Sequence, residues 1–170
     1  MKMKYLCSLA FVVLTGLAGC DQTRKEQPVS TSENVREVDK VKLTDMNGQS
    51  VSLKQYAGKT IFINFWATWC KPCIMEMPSI KDAQDSLQNQ DIVFLLASDE
   101  SAEQIKQFST NHDYKFNYVR IENPEELNVQ TLPTTFIFNS KGDKVFMESG
   151  ARQWNEKNNI DTILKIVNTK

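Results

Sequence analysis

The sequence predicts an α/β domain built in three layers. Residues 60–66 (T-I-F-I-N-F-W) and 91–97 (D-I-V-F-L-L-A) are nearly continuous apolar runs rich in β-branched and aromatic side chains. Strands covered on both faces read this way. Residues 70–89 lie between them and place Cys73, Met77, Ile80 and Leu87 on one arc at helical spacing. A second helical stretch, a strand pair and a terminal helix follow. The two long strands are expected to be parallel, joined by a right-handed crossover.

Taken in order, the domain begins near Val41. Residues 41–44 and 50–53 flank Asn47-Gly48, a signal for a hairpin with a type I′ turn, which needs positive φ at both central positions. The helix at 101–111 is opened by Ser101 with Gln104 three residues later, a capping-box pattern. Residues 116–121 suit a short strand and 124–127 a helical turn. Strands at 134–138 and 144–147 are separated by the turn-rich N-S-K-G-D of 139–143. A closing helix over 154–167 would turn Ile160, Leu164 and Val167 inward. Pro78, inside the first helix, is expected to kink it. Trp66 reads as core, and His112, the one histidine, as a solvated residue at a polar helix end.

Bulk numbers exclude several classes. The chain has 170 residues, 41% hydrophobic and 24% charged, with a net charge of -1, which rules out a disordered, collagenous or multi-span chain. Near-neutral charge gives no electrostatic reason for a polyanionic partner, so no nucleic acid is expected. Four cysteines are too few to staple a domain of this size, and their placement matters more than their number.

Two of them belong to the N-terminus. Lys2 and Lys4 precede an apolar or small run from Tyr5 to Gly19, too short to span a membrane and ordered as a secretory signal peptide is. It ends in Leu17-Ala18-Gly19-Cys20, which resembles a bacterial lipobox. That resemblance implies a signal peptide at 1–19 and a lipidated Cys20, with Cys7 discarded. The other reading is an uncleaved anchor helix, and both hold the domain at a membrane surface. Loss of Lys2 and Lys4 would move the net charge from -1 to -3. Residues 20–40 are polar and free of aromatics, and read as a flexible tether before a domain at 41–170. Such a tether reaches on the order of 25 Å root-mean-square.

Cys70 and Cys73 remain. As a bare pair they could be a redox couple, half of a metal site or a staple. Cys70 follows a buried strand and opens a helix, where unpaired N–H groups and the helix dipole favour a thiolate. Lys71 adds a positive charge, and Pro72 is tolerated because the first turn has no N–H bond to lose. Cys73 lies on the same side of the helix, within reach of a disulfide. Cys70 is the expected attacking thiol and Cys73 the resolving one, in exchange through a mixed disulfide.

Trp69-Cys70-Lys71-Pro72-Cys73 resembles the W-C-x-P-C motif of thioredoxins. The longer stretch 64–78 (N-F-W-A-T-W-C-K-P-C-I-M-E-M-P) is similar to the TlpA/ResA-type branch, whose members are exported and membrane-tethered. The resemblance runs from Val41 to the C-terminus. It implies a thioredoxin fold, with a mixed central sheet and an N-terminal β-hairpin extension. It also implies that Pro133, in Leu132-Pro133-Thr134-Thr135-Phe136, is cis and faces the cysteines. Trp69, Lys71, Pro72, Leu132 and Pro133 would then form the substrate surface. Cytoplasmic thioredoxins carry an aspartate where this chain has Asn64, which cannot titrate. The resemblance implies that Glu76, three residues after Cys73 at the flank of the apolar arc, takes over proton handling. Partial burial there would raise its pKa.

By the same resemblance the protein is a thiol–disulfide oxidoreductase of the cell envelope, on the extracytoplasmic side, anchored by lipid. Its expected substrates are exported proteins with cysteine pairs or disulfides, apocytochrome c among them, and its expected donor a transmembrane one. No cofactor is expected. A zinc site lacks a second ligand pair, and a c-type haem site would need His where Ile74 stands. Two rivals share the fold. A Sco-type copper chaperone has wider cysteine spacing and a distal histidine, and the Pro-x-x-x-Thr-x-x-Cys signature of a peroxiredoxin is missing here.

Overall fold

The apolar run after Lys59 forms a central strand, buried at every position from Thr60 to Phe65. Around it the computed structural model describes residues 36–169. The elements are a 3-10 turn (Glu37–Lys40), β1 (Leu43–Thr44), β2 (Ser50–Val51), a second 3-10 turn (Leu53–Tyr56), β3 (Thr60–Phe65), α1 (Lys71–Ser86), β4 (Ile92–Ser98), α2 (Ala102–Asn111), β5 (Asn117–Ile121), β6 (Thr134–Phe138), β7 (Lys144–Ser149) and α3 (Lys157–Asn168). The expected signal peptide, the lipidated Cys20 and the tether up to residue 35 lie outside the described residues.

The seven strands form one mixed sheet in the order β2-β1-β5-β4-β3-β6-β7. β3 runs parallel to β4, and β4 to β5, while β6 and β7 are antiparallel additions. Because β3, β4 and β5 step outwards in one direction, right-handed crossovers put α1 and α2 on the same face. One core holds Cys73, Met77 and Ile80 of α1, Ile105 and Phe108 of α2, and Ile163 of α3, packed on Phe62, Leu96 and Ile137. On the opposite face Ile61, Ile63, Phe65, Phe136 and Phe138 are covered by Val38, Leu53 and Leu127. The chain is an α/β thioredoxin fold. Its third layer is built of the two 3-10 turns and the connection after β5 rather than of α-helix.

Several details depart from the sequence reading. The hairpin turn is not type I′: Asn47 lacks a positive φ, whereas Gly48 has φ +80°. The Asp45 carboxylate accepts the N–H groups of Asn47 and Gln49, and Gly48 N–H donates to Asp45 O at 3.0 Å. This is the three-residue alternative, with one left-handed residue instead of two. The tether reading overran by a few residues, since Val38 is buried and its N–H donates to Gly142 O. α3 starts at Lys157, and Trp154 packs in the core before it. The innermost α3 residue is Ile163, with Ile160 and Leu164 half-buried beside it. His112 is half-buried and stacks on Phe108 at 4.0 Å, rather than standing in solvent. α1 continues through Pro78 to Ser86.

Candidate active site

β3 ends at Phe65, and the next five residues carry the chain to the start of α1. Trp66 N–H donates to Ala97 O, which keeps the loop in line with β4. Glu100, in the loop after β4, grips it from the side. Its carboxylate accepts Thr68 N–H at 2.7 Å and the Thr68 hydroxyl at 2.6 Å. Cys70 is thereby delivered to the N-cap of α1, and its Sγ accepts Cys73 N–H at 3.3 Å. A helix N-terminus offers such unpaired donors, and a sulfur carrying negative charge gains most from them.

Cys70 and Cys73 are joined as a disulfide, their Cα atoms 5.3 Å apart. They differ in access. Cys70 is 4% exposed and Cys73 completely buried, so only the first sulfur meets a partner from outside. Trp69 stands out at 73% exposure, and Lys71 and Pro72 are exposed next to it.

One helical turn after Cys73, Glu76 points into the fold. Sequence reasoning put it at the edge of the apolar arc with partial burial, but it is only 1% exposed. Asn64 Nδ2 of β3 donates to its Oε1 at 2.7 Å, and Arg152 N–H to its Oε2 at 2.9 Å. Burial raises the carboxyl above its ordinary value of 4.5, and the Arg152 N–H, the Asn64 amide and the Trp154 indole oppose that rise. Asn64 also donates to Thr135 Oγ1 of β6 at 3.0 Å, so three elements meet behind the cysteines. Arg152 and Ser79 carry no motif spacing and were not singled out from the sequence, where Thr135 entered only as part of the stretch around Pro133.

The Leu132-Pro133 peptide is cis. β6 pairs Thr134 with Phe65 and Thr135 with Asn64, which sets Pro133 at the end of the sheet where α1 begins. Pro133 is buried and Leu132 half-buried. Leu132 and Trp69 line one surface cavity of about 200 Å³, together with Asp99, Glu125 and Val129. A larger cleft, about 450 Å³, lies beside β1 and β2 and holds none of these residues. The predicted residues Trp69, Cys70, Cys73 and Leu132 thus gather at one end of the sheet, with Glu76 behind them.

This arrangement matches known proteins. The profile of the AhpC/TSA family matches residues 36–143. The chain belongs to that family. The chain is also 35% identical over 120 residues to the thiol-disulfide oxidoreductase ResA of Bacillus thuringiensis subsp. konkukian, covering 68% of each chain. It is 30% identical over 149 residues to the thioredoxin-like protein YneN of Bacillus subtilis, covering 84% of this chain and 87% of that one. Among solved structures, the exposed lipoprotein thioredoxin of Streptococcus pneumoniae superposes with a TM-score of 0.59 at 26% identity, over 73% of this chain and 96% of that one. This member of the AhpC/TSA family is a thiol–disulfide oxidoreductase with Cys70 and Cys73 as its redox pair.

Proposed function

We propose that the domain is exported, held at the extracytoplasmic face of the membrane by lipid on Cys20, and works there as a reductase of disulfides in other exported proteins. Apocytochrome c is within that substrate class. The Lys2/Lys4, apolar run and Leu17-Ala18-Gly19-Cys20 sequence supports the anchor, as does the likeness to a lipoprotein thioredoxin. The observation that carries the chemistry is a thiol pair at a helix N-terminus with a buried carboxyl one turn behind the second sulfur.

In the forward direction Cys70 thiolate attacks a substrate disulfide. A Cys70–substrate bond forms, the substrate bond breaks, and the first substrate sulfur leaves as a thiolate that takes a proton from water. Cys73 passes its proton to the Glu76 carboxylate and attacks Cys70 Sγ. The second substrate sulfur leaves, two electrons have passed to the substrate, and the Cys70–Cys73 disulfide remains. A dithiol donor in the membrane would return the two electrons. Trp69, Lys71, Pro72 and Leu132 form the surface on which the substrate chain lies, with the buried Pro133 behind it.

Replacing Cys73 by Ala blocks the second attack, so exported proteins should accumulate disulfide-linked to Cys70 in cells. Recovery of none would overturn the oxidoreductase role in the envelope. Equilibration with glutathione buffers should give a potential nearer thioredoxin's, about -270 mV, than that of the oxidant DsbA, about -120 mV. Cys20→Ser should abolish fatty-acid labelling and release the domain from membranes.

A further inference from the structure

Glu76 takes one of its two hydrogen bonds from a backbone N–H that belongs to no helix or strand. Arg152 lies in residues 150–154, between β7 and α3. Both ends of this segment are pinned. Gly150 N–H donates to Pro133 O at 2.8 Å, the carbonyl of the cis proline itself. At the other end Trp154 N–H donates to Ser79 Oγ at 3.1 Å. Ser79 is buried on α1, and its hydroxyl donates to Glu76 O at 2.7 Å. Gly150 holds φ +101°, a conformation that side-chain-bearing residues rarely adopt.

We propose that residues 150–154 are a positioning strap, pinned to Pro133 at one end and to Ser79 at the other, that fixes the Arg152 N–H on the Glu76 carboxylate. The inference rests on the proton role of Glu76 given above. It adds a physical tie between the proline on the substrate side and the proton acceptor behind the cysteines.

The surroundings of Glu76 leave the strap an unusual share of the work. On α1, Cys73 is its titratable neighbour one turn before. β3 and β6 present neutral Asn64 and Thr135. The Arg152 guanidinium turns away to Glu148 of β7, at 3.5 Å, and lies over the rings of Phe146 and Trp154. The strap opposes desolvation through aimed dipoles, first the Arg152 N–H and then the Trp154 indole N–H, and a dipole acts only if its direction is held.

Gly150→Ala tests this with little steric interference, because a Cβ there meets nothing within 4 Å and only the backbone conformation is strained. Ser79→Ala releases the other end. For each, the rate of exchange between the reduced protein and insulin disulfides is measured against pH, alongside Glu76→Gln and the two double variants. Loss of an aimed donor to a carboxylate should move the midpoint belonging to Glu76 upwards by about one pH unit in both strap variants. In the Glu76→Gln background neither should have a further effect on the profile. A merely structural role predicts lower stability with an unmoved midpoint, and that result would overturn the strap. If Glu76→Gln itself leaves the profile unchanged, the proton role falls, and the strap falls with it. If Glu76→Gln flattens the profile and both strap variants keep the wild-type midpoint, the strap alone falls. Should Gly150→Ala not fold, Ser79→Ala decides.

Discussion

Glu76 is a carboxylic acid enclosed in the fold, 1% exposed. Burial raises its carboxyl above 4.5, so the native state binds that proton more tightly than the unfolded chain does. The sign follows directly. The stabilising contribution is fully present below the unfolded value of 4.5 and is lost as pH rises through the higher folded value. Glu76→Gln should remove that fall, so the stability difference between variant and wild type should change across this window. Urea unfolding at a series of pH values checks it, and parallel curves would contradict it. Cys70, Cys73, Lys71 and Pro72 were legible because adjacency in sequence is adjacency at a helix start. The depth of Glu76 was not, since a glutamate at the margin of an apolar arc is buried or exposed according to what packs opposite it.

At the scale of elements, α2 shows local sequence acting alone. Ser101 Oγ accepts Gln104 N–H at 3.3 Å, and Gln104 Oε1 accepts Ser101 N–H at 3.2 Å, the reciprocal pair its spacing predicts. Ser101→Ala should cost about 1 kcal/mol in chemical denaturation while leaving exchange rates unchanged, because Ser101 touches no part of the thiol site. The β1–β2 hairpin shows the limit of the same kind of reasoning. Asn-Gly is compatible with two turns, and the Asp45 side chain two residues earlier selects between them by capturing two backbone N–H groups. The closing helix shows another limit. Trp154 is buried in the core with its backbone N–H on Ser79 Oγ, and the helix begins three residues after it, at Lys157.

Across the whole molecule, one of the two layers that cover the sheet is built without α-helix. Its N-terminal part is held by Val38, whose N–H donates to Gly142 O and whose side chain lies against Gly142. A Cβ on Gly142 would stand 2.6 Å from Val38 Cγ1, on a backbone at φ +88°. Gly142→Ala should therefore lose stability by about 1–3 kcal/mol and expose the Val38 amide first, read by hydrogen exchange. The other face carries the helices. Phe62 is fully buried there, with Phe94 and Trp154 at ring distances of 4.7 and 4.8 Å, and Phe62→Ala should cost about 3–5 kcal/mol in denaturation.

The family resemblance implied the cis Pro133; by itself the sequence determined the alternation of strands and helices and the nucleophile at a helix start. Each depends on periodicity or on contiguous residues, which short-range physics decides. Only the tertiary structure decided that all three helices share one face, that Glu76 is enclosed, that Asn64 and Arg152 hold its carboxylate and that Thr135 backs Asn64. Those contacts join residues 12 and 76 positions from Glu76, and 71 positions from Asn64, and no local pattern encodes such separations.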